Sequence, residues 1–157
     1  MARHFLSKKD TAALILRLKD FGISANLEDG VEIEQRKEGK FYLYKGKPLA
    51  FETVGFYPSL QALNLFHPSG KWIVVDDGAI PHLTNGANLF GKGIVDLDRD
   101  IAIGDTVFVR NSEGIYFAIM KAVKTYGDLA KDRTGEFAIM IHRPGDKAYN
   151  IFMEISR

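Results

Sequence analysis

The first 22 positions of the chain repeat apolar side chains at the spacing of an amphipathic helix. Four of them recur every three or four positions along one side: Leu14, Ile15, Leu18 and Phe21. Ser7 stands where an N-cap is needed, and Asp10 lies in the first turn, where the helix dipole favours a carboxylate. Gly22 supplies a stop signal. The pattern predicts a helix over residues 8–21.

Farther along the chain, apolar and polar residues alternate with a period of two, which is typical of a strand. Val31 and Ile33 alternate with glutamates, and two apolar runs flank the turn sequence Lys45-Gly-Lys-Pro48, so a small antiparallel sheet is predicted. Pro58 is predicted to open a second helix, because its fixed φ suits the first helical residue. The sequence His67-Pro-Ser-Gly70 ends that helical pattern, and we predict a domain boundary there.

The second half of the chain is dominated by the strand pattern. Residues 72–75 form a buried apolar run, and Asp77 is the predicted cap of a short helix over residues 78–85 that ends at Gly86. One further short helix is predicted near residues 126–131. Strands are predicted over residues 88–95, 106–109, 115–123, 137–142 and 149–155. Closely spaced strands with two short helices favour a small barrel, because closure removes exposed sheet edges.

Composition narrows the possible classes of protein. With 46% hydrophobic and 26% charged residues, the 157-residue chain is typical of globular proteins. It has no apolar run of about 18 residues and no apolar segment like that of a signal peptide, so we expect a cytoplasmic location and no membrane contact. Cysteine is absent, and the four histidines are too far apart for a metal site. Neither a metal nor a cofactor is expected.

Motifs of catalysis are incomplete. None of the four Gly-Lys pairs completes a phosphate-binding loop, and Gly91-Lys-Gly93 lacks the third glycine of a dinucleotide fingerprint. Asp76-Asp77 and the alternating Asp96, Asp98 and Asp100 fit acid–base chemistry or a divalent metal. They equally fit a helix cap and the solvated side of a strand. We therefore predict a protein that is not an enzyme.

The segment from Val74 to Ile94 resembles the PUA domain, which is named after pseudouridine synthases and archaeosine transglycosylases. The matching motifs are Val-Asp-x-Gly-Ala at residues 75–79, Leu-x-x-Gly-Ala-x-Leu at 83–89, Gly-x-Gly-Ile at 91–94, Gly-Asp-x-Val at 104–107, and the ending Gly135, His142 and Asp146. Two motifs differ from those of the family. Lys92-Gly93 replaces Pro-Gly, and Asp146-Lys-Ala-Tyr149 replaces Asp-x-Leu-Trp.

Upstream, residues 47–51 and 57–68 look like the pre-PUA domain of the MCT/ligatin translation-factor group. The resemblance implies an α+β fold. A small N-terminal α/β pre-PUA domain, residues 1–70, would precede a PUA-type mixed β-barrel with two short helices, residues 71–157. It also implies binding to structured RNA, tRNA or rRNA, in translation or RNA modification. Residues 1–70 would extend the RNA surface or dock a translation or modification factor.

The implied RNA surface runs along the short helix, the Gly-rich loop and the last strands. Glycines admit a phosphate–sugar backbone, asparagines can bond 2′-hydroxyls and so favour RNA over DNA, and Lys92 adds a cation. Phe90 and Tyr126 are candidates for base stacking. The predicted RNA-binding residues are His82, Asn85, Gly86, Ala87, Asn88, Gly91, Lys92, Gly93, Lys121, His142 and Arg143.

Charge and geometry leave two alternatives open. The net charge is +1, and residues 71–157 carry 11 basic against 12 acidic side chains, so an RNA surface has to be a local patch. A protein-interaction adaptor with little RNA affinity fits this balance as well. The glycines also fit turn geometry alone, with Gly86 ending a helix and Gly91 and Gly93 shaping a barrel corner.

Overall fold

The computed structural model describes residues 3–156. Two compact units are present, one made of Met1–Ser69 with Lys147–Arg157 and the other of Gly70–Asp146. Residues 1, 2 and 157, which the predicted domain limits include, lie outside the described residues. In chain order the elements are β1 (Arg3–Phe5), α1 (Lys8–Lys19), β2 (Val31–Arg36), β3 (Gly39–Tyr44), β4 (Lys47–Glu52), β5 (Phe56–Pro58), α2 (Leu60–Phe66), β6 (Trp72–Val75), α3 (Ile80–Thr84), β7 (Leu89–Phe90), β8 (Ile94–Leu97), β9 (Thr106–Arg110), β10 (Tyr116–Ala122), α4 (Tyr126–Lys131), β11 (Glu136–His142) and α5 (Lys147–Ile155).

The first unit is an antiparallel sheet with helices, as predicted. Strands β1 to β5 lie in chain order, and the β3–β4 turn places Lys45 and Gly46 at left-handed φ values of 52° and 77°. The predicted first helix is confirmed as α1, and the Ser7 side chain caps it by accepting from the Asp10 amide. In the second helix the prediction for Pro58 was wrong. Pro58 ends β5, and buried Ser59 caps α2.

The C-terminal segment is a helix, although the sequence analysis predicted a strand over residues 149–155. It also belongs to the first unit, whereas residues 71–157 were assigned to the second domain. Tyr149, Ile151 and Met153 alternate as in a strand, but the segment buries Ile151, Phe152 and Ile155, which share one helical face. There Phe152 packs edge-on against Phe41 of β3, with ring centroids 5.3 Å apart. That aromatic contact favours the helix over the strand.

The second unit is the mixed β-sheet that was predicted. Its order is β7-β11-β10-β9-β6-β8, and all pairs are antiparallel except β6 with β9. The predicted strand over residues 88–95 is divided by a 3₁₀ turn at Gly91–Gly93. Inward side chains of the sheet, together with Leu83 of α3 and Leu129 of α4, form one buried core.

The cap of α3 differs from the prediction. Asp77 was expected to cap this helix, but the N-cap is Ala79, and Asp76 Oδ1 accepts a hydrogen bond from the Ala79 amide at 2.9 Å. Asp76 directly follows β6, so it is held next to the start of the helix. Within residues 3–156 no helix has the length and apolar character needed to cross a bilayer.

Candidate functional site

The Gly91–Gly93 turn joins the two ends of the second sheet. The Gly91 amide donates to the Gly135 carbonyl at 3.1 Å, beside β11, and the Gly93 carbonyl accepts from the Asp76 amide at 3.1 Å, beside β6. The turn therefore links the two terminal strands of the sheet, β7 and β8, and bonds residues beside their neighbours β11 and β6. Residues Gly91–Gly93 thereby close the barrel, and we call them the seam turn.

Both turn glycines are packed too closely for a side chain. A Cβ on Gly91 would lie 2.5 Å from the Arg133 carbonyl oxygen and 2.8 Å from Leu129 Cδ1. A Cβ on Gly93 would lie 3.1 Å from Ala79 Cβ. Neither glycine has a left-handed φ, so space rather than backbone strain requires them. Gly91 is buried, so barrel packing is enough to require a glycine at this position.

Gly86 serves the C-terminal end of α3. Its φ of 94° reverses the chain after the helix, and its amide bonds the Leu83 carbonyl at 2.9 Å. Arg143 lies against it, because a Cβ on Gly86 would be 2.9 Å from Arg143 Nε. Arg143 Nη1 donates to the carbonyl of Thr84, the last residue of α3, at 3.1 Å. This guanidinium is therefore bound to the helix end.

An apolar cleft of about 310 Å³ opens between α3 and the strand that follows it. Ala79, His82 and Leu83 line the helical side, and residues 87–90 with Gly93 line the other. His82 and Ala87 are exposed, and the Phe90 ring is 52% exposed beside the cleft. The cleft thus has apolar walls and an aromatic edge open to solvent.

Asn88, predicted to contact RNA, has both ends of its carboxamide bonded to β11. Its Oδ1 accepts from the Met140 amide at 2.9 Å, and its Nδ2 donates to Glu136 Oε2 at 2.7 Å. Because the strand pair β7–β11 is only two residues long, these bonds extend it. Asn88 therefore holds the cleft wall in place.

His142, also a predicted RNA contact, is not at the surface. It is 1% exposed, and its Nδ1 lies 2.8 Å from Asp146 Oδ2, which also accepts from the Arg143 amide at 3.1 Å. The inward alternation of β11 continues to this strand's last residue, which turns His142 into the interior. His142 positions the turn that carries Arg143.

Three further predicted residues lie outside the cleft lining. Lys92, at the centre of the seam turn, and Asn85, at the C-terminal end of α3, are exposed. Lys92 is close enough to Asp132 to help lower the pKa of that carboxyl, after the larger effect of hydrogen bonds from Thr134. Lys121 is exposed on β10, opposite Ile139, and does not line the cleft.

Some site features were missed or misjudged from the sequence. Ala79 and Leu83 line the cleft, and their i, i+4 spacing on α3 was the available signal. The stacking candidate Tyr126 is already covered by the Arg99 guanidinium, 4.5 Å from its ring. Asp98 accepts bonds from the amides of Lys71 and Asp100. Within residues 3–156 no group of three acidic or histidine side chains is placed to hold a metal ion.

The fold and the site together define a class of protein, a two-unit α+β protein whose second unit is a PUA-type barrel. Comparison with known families supports both halves. Residues 71–137 match the PUA domain, a class that generally binds RNA, and residues 2–65 match a domain of unknown function, DUF1947.

Similarity to known proteins extends over the whole chain. An uncharacterized protein of Methanocaldococcus jannaschii is 31% identical over 94% of this chain and 95% of its own. A conserved PUA domain protein of Thermoplasma acidophilum superposes with a TM-score of 0.90 at 34% identity, covering 96% of this chain and 99% of that one. A hypothetical protein of Pyrococcus horikoshii superposes with a TM-score of 0.77 at 29% identity, with coverages of 96% and 99%.

This chain belongs to the family of PUA-domain proteins that carry a DUF1947 domain at their N-terminal side. The pre-PUA resemblance seen in the sequence corresponds to the DUF1947 match. The narrower resemblance to the MCT/ligatin translation-factor group stays a prediction.

Proposed function

We propose that this protein binds structured RNA without altering it chemically, through the cleft between α3 and residues 87–93. The observation that carries the proposal is the open apolar cleft of about 310 Å³ with the exposed Phe90 ring at its edge. An unstacked nucleobase is a flat, largely apolar ligand that proteins hold by stacking on aromatic side chains. The general RNA-binding character of PUA domains supports RNA as the ligand.

Exposed polar groups beside the cleft would hold the phosphate–sugar backbone. Lys92 provides a cation on the seam turn, and His82 and Asn85 provide hydrogen-bonding groups on α3. Gly86, Asn88, Gly91, Gly93, His142 and Arg143 would support this surface from behind or beside it. Lys121 would join only if the RNA extends past the cleft, so it is the weakest of the predicted contacts.

The cleft favours binding over catalysis. Of the described residues that line it, His82 alone carries a side chain of the kind used in acid–base catalysis, and the others are apolar, amide or glycine. General acid–base or nucleophilic catalysis needs a second group placed to activate or orient the first. The expected ligand is therefore bound and released unchanged.

A salt-dependent titration tests the proposal. The full chain would be titrated against labelled tRNA, with and without its 3′-terminal nucleotides, and against an rRNA stem, with fluorescence anisotropy as the signal. We expect binding that weakens with salt and that falls when the single-stranded end is removed. Absence of binding at low salt, relative to a neutral control protein, would exclude RNA and support the adaptor function.

Two pairs of variants locate the site. Phe90→Ala should weaken binding about 5- to 150-fold, the effect of one lost base stack, while Val95→Ala, another exposed apolar side chain of the barrel, should not. Lys92→Ala should flatten the salt slope by about one unit, and Lys131→Ala on α4 should leave it unchanged. Equal effects within either pair would place the RNA elsewhere.

The wider setting is part of the proposal. tRNA or rRNA as ligand, a role beside translation or RNA modification, a cytoplasmic location and a protein partner at residues 1–70 all follow from the resemblance described above. The tRNA and rRNA arms of the titration distinguish between the two RNAs.

A further inference from the structure

A second cleft, of about 300 Å³, lies within the first unit, apart from the RNA site. One wall is a stripe of α1 at helical spacing: Asp10, Ala13, Leu14 and Arg17. The other is one face of the sheet, where His4 lies opposite Ile33, Ile33 opposite Tyr42, and Gln35 opposite Lys40. Helix and sheet thus bring together residues that are up to 38 positions apart in sequence.

Tyr42 is the unusual member of this cleft. Its side chain is buried, with the residue only 7% exposed, yet its hydroxyl makes no hydrogen bond with any of residues 3–156. The hydroxyl oxygen is not one of the fully buried polar atoms that lack a partner, so it opens into the cleft, where it can bond a ligand. Burial, followed by the charge of Glu52, raises the pKa of Tyr42, so the phenol keeps its proton at neutral pH and can donate.

Two opposite charges stand at the rim, and one of them, Lys40, lies opposite Glu52 across β3 and β4, where it helps, after the larger effect of Arg17, to lower the pKa of that carboxyl. Asp10 and Lys40 are exposed, and neither forms an ion pair with a described residue. Arg17 is different, because its guanidinium bonds Glu52 twice, at 3.1 and 3.0 Å, and lies 3.9 Å from the centre of the Phe56 ring. The charges left for a ligand are therefore one carboxylate, from the helix, and one ammonium, from the sheet.

This balance of charge selects among ligands. A phosphate would be repelled by Asp10, and a simple cation would be repelled by Lys40. A molecule with both an ammonium and a carboxylate satisfies each rim charge, while its apolar part can lie on Leu14 and Ile33 at the floor. A cleft of about 300 Å³ is at the small end of ligand sites, which suits a molecule of this size.

We propose that the cleft between α1 and the β1–β3 face binds a small zwitterion of the α-amino-acid class. The ammonium group would contact Asp10, the carboxylate would contact Lys40, and the Tyr42 hydroxyl would donate to the carboxylate. This inference is independent of the RNA site, because every group in it belongs to the first unit.

The test uses the ¹⁵N-labelled full chain and the twenty standard α-amino acids as probes. Each would be added to about 10 mM while amide shifts are recorded, and we expect at least one to shift the amides of Ile33 and Tyr42 with a Kd below about 1 mM. The same amino acid as its carboxamide, or with its amino group acetylated, should bind at least fivefold more weakly. If no probe shifts these amides, or if the blocked forms bind equally well, the proposal is wrong.

Matched variants test the assignment of each group. Tyr42→Phe should weaken binding about three- to tenfold, whereas Tyr44→Phe should not, since the Tyr44 hydroxyl on the same strand bonds Asp29 instead. Should Tyr42→Phe fail to fold, Lys40→Gln serves the same purpose, with exposed Lys47→Gln on β4 as its control. We expect Lys40→Gln to weaken binding about tenfold or more. Equal affinity in a variant and its control would remove the ligand from this cleft.

Discussion

Replacing Gly91 with alanine separates the two explanations for the glycines of the seam turn. The added Cβ would lie 2.5 Å from the Arg133 carbonyl oxygen, and ordinary contact begins at 3.4 Å, so this backbone oxygen has to retreat by about 0.9 Å. Arg133 is held in place, since its guanidinium also bonds the carbonyls of Gly91 and Ile94. Overpacking of this kind costs about 1–3 kcal/mol. We expect Gly91→Ala to lose about 2–3 kcal/mol of the free energy of unfolding.

Gly127→Ala is a matched control. Gly127 lies within α4, and a Cβ there would meet only Thr125 Oγ1 at 3.7 Å. Alanine is better than glycine inside a helix by about 0.5–1 kcal/mol, so this variant should be more stable than the parent protein. Both substitutions also restrict the unfolded chain by similar amounts. The difference between the two variants therefore isolates the packing cost at the seam.

Tryptophan fluorescence during urea unfolding measures both variants. The chain has one tryptophan, Trp72 of β6, so the signal reports on the barrel unit. Thermal midpoints should agree, with Gly91→Ala lower by about 5–10 °C, given about 2–4 °C per kcal/mol for a chain of this size. An unfolding midpoint for Gly91→Ala at or above that of the parent protein would refute the packing argument. In that case the close approach of a ligand would explain why position 91 has no side chain.

Two further predictions concern the first unit. Burial opposes the ionised form of Glu34, but hydrogen bonds from Arg3 and Arg36 outweigh this effect and hold the pKa of Glu34 below the ordinary 4.5. The contribution of Glu34 to the free energy of unfolding is therefore complete above that pH and is lost as the pH falls through the folded-state pKa. Glu34→Gln should cost about 2 kcal/mol at pH 7 and remove part of the acid sensitivity seen by circular dichroism in urea; an unchanged pH profile would contradict this. Ser59→Ala should cost about 1–2 kcal/mol, because the buried hydroxyl bonds both the Ala62 amide and the Pro48 carbonyl, and exposed Ser7→Ala should cost less in the same assay. Equal losses in the two variants would show that burial of the capping serine adds nothing to the free energy of unfolding.

Periodicity was sufficient for most elements of this fold. The apolar spacing before Gly22 and the capping Ser7 gave α1 correctly, and β6 and α4 have the predicted limits. Periodicity is ambiguous where two periods coincide, as in α5, whose apolar positions fit both a strand and one helical face. Contacts with the first sheet, such as that of Phe152 with Phe41 more than 100 positions away in sequence, decide between them. Local pattern carries no information about such a contact.

The candidate site shows a similar division. The sequence pointed to a segment that does line a cleft, because a helix stop followed by closely spaced glycines marks a place where backbones approach. It could not show which polar groups there are already bonded. Asn88, Arg143 and His142 all have the chemistry of RNA contacts, yet their partners on β11, on α3 and at Asp146 come from distant parts of the chain. Exposure and hydrogen bonding depend on the fold, so only the structure shows that these three side chains are already bonded while those of His82, Asn85 and Lys92 are exposed.

Closure of the barrel and exposure of Phe90 have one cause. In the two-residue strand β7, Leu89 enters the core and Phe90 points to the opposite side, because successive strand residues alternate. The buried Gly91 immediately afterwards fixes the strand against β11, and the Asn88 carboxamide fixes it from the other end. Phe90 thus stays at the cleft edge without having to be ordered by a ligand. In the proposed complex, an aromatic edge carried by a fixed strand would reduce the entropy lost on binding, which would help a barrel of nearly neutral charge to hold a base where few cations are available.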